Sequence, residues 1–358
     1  MGRRKSPLVS AFFKMTRAGM RQSTRIGQAA AKQGMKSGGE LAEQAGRMLR
    51  AVATPTDAPK PITGGRWFDG RWGLGPLAMR RYRLFIPTGG SARKPLPLLL
   101  LLHGCAQDTA AFAAVTRAAV TAKSRGFAVL MPEQAQEANP QRCWNWFGSE
   151  ARVGLETQLL MAIVDHAVAA NPRIAGPLFA LGLSAGGAMS MTLALRHPER
   201  FTAVGSHSGA APHSASTPLQ AGQSMRGRRS PDVDAIAQRL AGRRLPPLVL
   251  IHGDLDPVVS FESARAAAGL WVDLLPDGVT PREQEDEVKR GTRRAMVRHD
   301  WKTGRRPYVR LLRVRGLGHA WSGGASGQAF SDPTGPDALR LAWTFFAATM
   351  EQGAAPRL

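Results

Sequence analysis

The sequence predicts an α/β fold, with a mainly parallel central sheet and helices on both of its faces. Three observations carry that expectation. Short apolar runs alternate with longer segments of helical spacing, the pattern of strand–helix–strand units. One run, residues 97–102, is nearly all leucine, as a strand buried on both faces requires. Another, residues 178–183, passes through a glycine-rich turn straight into a helical segment.

Taken in order, residues 1–65 stand apart from the rest. Residues 1–60 carry twelve basic and three acidic side chains, a net +9. Leu8, Val9, Phe12, Phe13 and Met20 share one loose helical face, with basic residues elsewhere. Two readings stay open: a basic amphipathic helix resting on an anionic surface, or a solvated, partly disordered arm. Residues 54–65 hold three prolines and two glycines and read as a linker. The domain expected to carry chemistry is residues 66–358.

Within it, residues 80–86 alternate like a strand, 97–102 form the buried leucine strand, and 110–125 are helical. Residues 127–131 are a second buried strand, and 153–170 a helix with Leu155, Leu159, Ile163 and His166 at helical spacing. A strand at 178–183 leads to a helix at 185–196, then a strand at 203–207. Residues 209–231, rich in Ser, Gly and Pro, read as a long loop. A strand at 247–252 precedes a helix at 261–275. Residues 292–300 and 306–314 read as a hairpin around Lys302-Thr303-Gly304, and 336–350 as a closing helix. No internal repeat is present.

Composition narrows the function classes. Of 358 residues, 43% are hydrophobic and 21% charged, enough to bury a sizeable core. Two cysteines exclude a disulfide scaffold or a four-cysteine zinc site. The net charge of +22 makes an anionic surface a plausible partner. One uncharged apolar stretch, residues 174–195, could span a bilayer by length. It holds Pro177, four glycines and two serines, so it reads as strand, turn and helix instead. Residues 1–20 give no clean secretory signal, because the apolar run 7–13 meets Lys14 and Arg17 with no small-residue cleavage site after it. No phosphate loop, metal-ligand cluster, dinucleotide fingerprint or nucleic-acid reading motif appears, and no cofactor is expected.

The chemistry concentrates in a few places. Gly182-Leu183-Ser184-Ala185-Gly186 joins a strand to a helix, the context a nucleophile elbow needs. A serine hydroxyl is a poor nucleophile without a base. Of eight histidines, His319 in Gly316-Leu317-Gly318-His319-Ala320-Trp321 lies in a flexible loop just after a strand. His166, His197 and His299 read as surface or structural, and His103 and His252, which close strands, as structural. The base needs an acid to fix its tautomer. Asp254 and Asp256 both qualify by position, and Asp256, deeper in the loop, is favoured to reach His319. The order Ser184, Asp256, His319 is the one expected of an α/β-hydrolase. Backbone N–H groups of Ala185 and Cys105 are the candidate oxyanion donors, the second from His103-Gly104-Cys105-Ala106-Gln107-Asp108.

These motifs fall in one order with Pro132-Glu133-Gln134, Cys143-Trp144-Asn145-Trp146-Phe147, Gly182–Met189 and Gly316–Gly323. Together they resemble the poly(3-hydroxybutyrate) depolymerase family of esterases, similar to feruloyl and acetylxylan esterases of the α/β-hydrolase superfamily. The resemblance covers roughly residues 70–349. It implies Ser184 as nucleophile, Asp256 as acid and His319 as base, and an ester or polyester substrate. It also implies secretion, whereas the basic arm and missing signal leave a cytoplasmic granule or membrane surface as the alternative.

Trp321, two residues from His319, is a candidate wall of an acyl slot; Trp144 and Trp146 stand evenly between pocket wall and core. Cys105 and Cys143 could pair and pin the oxyanion loop in an oxidising compartment. The arginine-rich hairpin from Arg290 to Arg315 reads as solvated charge. The first function expected is a serine carboxylesterase acting on short hydroxyacid esters, with feruloyl or acetyl esters as the enzyme alternative. The rival of another class is a surface-binding protein that uses its basic arm on a membrane or polymer granule. Oligomeric state is not legible.

Overall fold

The computed structural model describes residues 63–73, 75–288 and 295–353. The basic arm lies outside the described residues, as do Arg290, Arg293 and Arg294 of the hairpin.

Ten strands form one sheet. They are β1 (Gly65–Trp72), β2 (Arg80–Pro87), β3 (Leu98–Leu102), β4 (Ala128–Glu133), β5 (Leu178–Gly182), β6 (Ala203–His207), β7 (Leu248–Gly253), β8 (Arg282–Val288), β9 (Met296–Thr303) and β10 (Arg306–Val314). Their order is β1-β2-β4-β3-β5-β6-β7-β10-β9-β8. The six strands from β4 to β10 in that order run parallel. Antiparallel strands close both edges.

Helices α1 (Thr109–Thr116), α2 (Ala118–Arg125), α3 (Glu150–Ala170), α4 (Ala185–Arg196), α5 (Pro218–Met225), α6 (Val233–Leu240), α7 (Phe261–Asp273) and α8 (Ala338–Gly353) cover the sheet. The leucine run is explained by two cores. Leu98, Leu100 and Leu102 pack with Leu160, Ile163, Met189 and Leu193 of α3 and α4. Leu99 and Leu101 point the other way, onto Phe112, Val115 and Phe346 of α1 and α8.

Several elements depart from the sequence reading. The helix expected at 110–125 breaks at Arg117, which takes φ 50°. Its guanidinium is drawn across to Gly323 O at 2.8 Å and Asp337 Oδ2 at 3.1 Å. The loop expected at 209–231 contains α5, started by Pro218 and capped by the Thr217 hydroxyl. The buried stripe of α3 is Val153, Glu156, Thr157, Leu160, Ile163, Val164 and Ala167, while Leu155 and His166 are exposed. That helix is long and apolar enough to cross a membrane by length and composition, but its apolar stripe lies in the core against the sheet. β1 and β8 were not expected. β8 is the outermost strand, with Glu283, Glu285 and Glu287 on its exposed face. The hairpin β9–β10 turns at Gly304, φ 75°.

Because the six central strands are parallel, the loops after β3, β5, β6, β7 and β10 emerge at one edge of the sheet. Ligand sites of open α/β sheets lie there.

Candidate active site

Strand β5 runs into the turn that presents Ser184. That residue has φ 55° and ψ −117°, a conformation side chains rarely adopt. Its N–H donates to His207 O at 2.8 Å, and its carbonyl accepts from Ala188 N–H at 3.0 Å. The flanking glycines are required by space. A Cβ on Gly186 would sit 2.2 Å from Leu102 O, and one on Gly182 would sit 2.3 Å from the Gly186 carbonyl carbon. Ser184 is the half-exposed residue in an otherwise buried segment.

The loop after β10 carries His319, and the loop after β7 carries Asp256. His319 Nδ1 donates to Asp256 Oδ2 at 2.7 Å. That bond assigns the proton to Nδ1 and leaves Nε2 as an acceptor. Asp256 Oδ1 accepts from the N–H groups of Val258 at 2.9 Å and Val259 at 2.8 Å. The Asp256 side chain is fully buried and that of His319 is 6% exposed. Burial alone would raise the Asp256 carboxyl; hydrogen bonding and charge from His319, then from His252, outweigh it and hold the group below the usual carboxylate range. Of the two carboxylates, Asp256 reaches His319, whereas Asp254 accepts from Gly316 N–H at 2.6 Å and so braces the His319 loop. Among the described residues no hydrogen bond joins Ser184 Oγ to His319.

Two more histidines support this arrangement. His207, given no role by the sequence, accepts from Ser322 N–H through Nε2 at 3.1 Å and stacks on Trp321 at 5.0 Å. Its backbone holds Ser184, so one residue ties the Ser184 turn to the His319 loop. Burial first, then the neighbouring His252 and His319, push its imidazole down to about 3, so it is neutral. His252 donates from Nε2 to Val259 O at 2.8 Å and stands 3.5 Å from Asp256 Oδ2. His207, like His252, lies at the end of a buried parallel strand, which is the signal that could have found it.

Opposite Ser184 runs the loop after β3. A Cβ built on Gly104 would crowd Gln107 Oε1 at 3.1 Å and meet Ser184 Cβ at 3.6 Å, an ordinary contact. The loop is tied down at four points. Cys105 and Cys143 form a disulfide. Ala106, at φ 60°, donates its N–H to Gln141 O at 2.8 Å. Gly104 N–H donates to Gln107 Oε1 at 2.9 Å, and Trp144 Nε1 donates to His103 O at 3.0 Å. Among the described residues, the N–H groups of Cys105 and Ala185 have no backbone acceptor.

The tryptophans call for a correction. Trp144 and Trp321 are 0% exposed and Trp146 is 6% exposed. Trp321 is sandwiched between His207 and Phe112, and Trp144 packs on His103. Large rings here fill the core beneath the loops, and neither Trp144 nor Trp321 is an open pocket wall. A cavity of ≈ 460 Å³ opens beside the Asp256 loop, lined in part by Met225, Arg226, Pro257, Phe261 and Arg313. Among the described residues no His, Cys, Asp and Glu cluster is arranged to hold a metal ion.

The family model described as esterase PHB depolymerase matches residues 80–275. Poly(3-hydroxyalkanoate) depolymerase C of Paucimonas lemoignei is 31% identical over 143 residues, 39% of this chain and 32% of that protein. Feruloyl esterase B of Neurospora crassa is 27% identical over 220 residues, 57% of this chain and 73% of that protein. The match therefore spans about a third of the first relative's length. Among solved structures, an acetyl xylan esterase from Aspergillus awamori superposes with a TM-score of 0.62 at 14% identity, over 79% of this chain and 99% of that one. A dienelactone hydrolase-like phosphotriesterase, P91, gives 0.50 at 15% identity, over 80% and 98%. These likenesses fix the fold as that of the α/β-hydrolases. Since the family model covers more than half of the sequence, the chain belongs to the PHB depolymerase family of esterases.

Proposed function

We propose that this chain is a serine carboxylic ester hydrolase working through an acyl-enzyme. Ser184 Oγ attacks the ester carbonyl carbon while His319 Nε2 takes its proton. Asp256 stabilises the imidazolium and keeps its orientation. The N–H groups of Cys105 and Ala185 receive the oxyanion, and each such donor contributes about 3 kcal/mol to lowering the barrier. His319 then protonates the leaving alcohol, and a water deprotonated by His319 releases the acid. The observation that carries this reading is the 2.7 Å bond from His319 to a carboxylate already fixed by two backbone N–H groups.

The substrate we favour is a short-chain hydroxyalkanoate polyester or its oligomers, in line with the 31% identical depolymerase relative. A feruloyl or acetyl ester of polysaccharide is the second reading, favoured by the longer match to the feruloyl esterase, 57% of this chain. The Cys105–Cys143 bond suits an oxidising compartment and supports action outside the cell.

The test is p-nitrophenyl butyrate turnover by wild type and Ser184→Ala. We expect a loss of roughly 10⁴-fold or more. A Ser184→Ala enzyme that keeps its rate would remove Ser184 as nucleophile. Product analysis on polyhydroxybutyrate and on feruloylated oligosaccharide then separates the substrates, and release of ferulate alone would sink the polyester reading.

A further inference from the structure

We propose that Glu156, on α3 and apart from the reacting groups, is a positioning residue that sets the register of the oxyanion loop. The proposal rests on the reading of Cys105 N–H as an oxyanion donor.

Glu156 is buried in the stripe of α3 that faces the sheet, where an apolar side chain would be the ordinary choice. Its carboxylate gathers three segments. Arg80 of β2 reaches Oε1 at 3.3 Å, and both side chains are almost wholly buried. Gln134, just past β4, donates from Nε2 to the same oxygen at 3.1 Å. Asn145, from the segment that follows Cys143, donates from Nδ2 to Oε2.

Each of the last two leads to the oxyanion loop. The backbone N–H of Gln134 donates to His103 Nε2 at 3.0 Å. That fixes the proton on Nδ1, which donates to Gly104 O at 2.7 Å. The Gln134 amide also donates to Cys143 O at 3.1 Å, so it holds the far end of the disulfide. Asn145 is steadied in turn by Arg152 at 2.8 Å and Asn139 at 3.1 Å. Cys105 is thus approached along both of its tethers, the backbone from His103 and the disulfide from Cys143. Both tethers converge on one carboxylate.

A buried ion pair is weak evidence of a stability role, since well-packed apolar groups often serve as well. Oxyanion donors act through preorganisation, so a small displacement of the loop costs rate. The convergence on Glu156 supplies that preorganisation.

Glu156→Gln keeps the volume but turns one acceptor into a donor facing donors. We expect kcat on p-nitrophenyl butyrate, per site titrated with diethyl p-nitrophenyl phosphate, to fall roughly 10- to 100-fold. KM should stay within about twofold. Butaneboronic acid, which forms a tetrahedral adduct, should bind weaker by a factor close to the loss in kcat/KM, while planar butyramide binds unchanged. A purely structural role would lower the number of titrated sites and leave kcat per site and the boronate affinity intact. Should Glu156→Gln not fold, Gln134→Met removes the side-chain bonds to Glu156 and Cys143 and keeps the backbone bond to His103; the same pattern is expected. Kcat per site and boronate affinity within about twofold of wild type in a folded variant overturns the proposal. A wild type no faster than Ser184→Ala overturns the hydrolase reading instead.

Discussion

Ser184 holds a conformation that costs on the order of 1–3 kcal/mol in an ordinary residue. The cost is offset by its backbone bonds to His207 and Ala188 and by glycines that leave room on both sides. His207 adds a pH dependence of its own. Its imidazole titrates near 3 in the fold, against 6.5 for the free group. Below the ordinary value the unfolded chain takes up a proton that the folded chain refuses. The stability tied to this residue is therefore complete above about pH 6.5 and declines as pH falls toward about 3. The slope is about 1.4 kcal/mol per pH unit. Urea unfolding of wild type and His207→Gln between pH 7 and 4 should show a slope shallower by that amount in the variant. Equal slopes would mean that His207 is not the group being denied its proton.

At the scale of elements, the hairpin β9–β10 offers a direct stability test. Asp300 and Arg310 are register partners, and the carboxylate takes both guanidinium bonds, at 2.7 and 2.8 Å, with Asp300 only 2% exposed. Asp300→Ala leaves Arg310 without its buried partner and should cost about 3–5 kcal/mol in chemical denaturation, with kcat per folded molecule unchanged. A loss below about 1 kcal/mol would place the pair in effective contact with solvent. The central elements were legible because burial writes itself into sequence: the leucines of β3 and the glycines of the serine turn have few alternatives. Edge strands have no such constraint. β8 reads Arg-Glu-Gln-Glu-Asp-Glu-Val, whose alternation is among polar residues that pair with Arg298, His299 and Lys302 across the strand. The break at Arg117 leaves no local trace, because the partner of its guanidinium, Asp337, is 220 residues away. Asp256 was separable from Asp254 only by depth in the loop, a local property. Glu156 and the stacking of Trp321 on His207 depend on partners from distant segments, and spacing within one segment carries no trace of them.

At the scale of the whole molecule, charge is the leading feature. Of the net +22, residues 1–60 hold +9. We expect deletion of residues 1–60 to abolish sedimentation with phosphatidylserine vesicles at low salt and to spare soluble-ester turnover. The wild-type association should weaken as salt rises and the screening length shrinks. Sedimentation that the deletion does not alter would assign the attraction to the remaining +13.

One edge of the sheet bears on how copies of this chain meet. β8 ends the sheet and leaves one row of backbone groups unpaired by any strand among the described residues. Such an edge is a template for another strand. A second copy approaching along it would set Glu283, Glu285 and Glu287 about 5 Å from an identical row. On a molecule so strongly basic elsewhere, this short acidic strip is the part that repels its own image. Its carboxylates set like charge against like charge along that edge and oppose the pairing of one β8 with another.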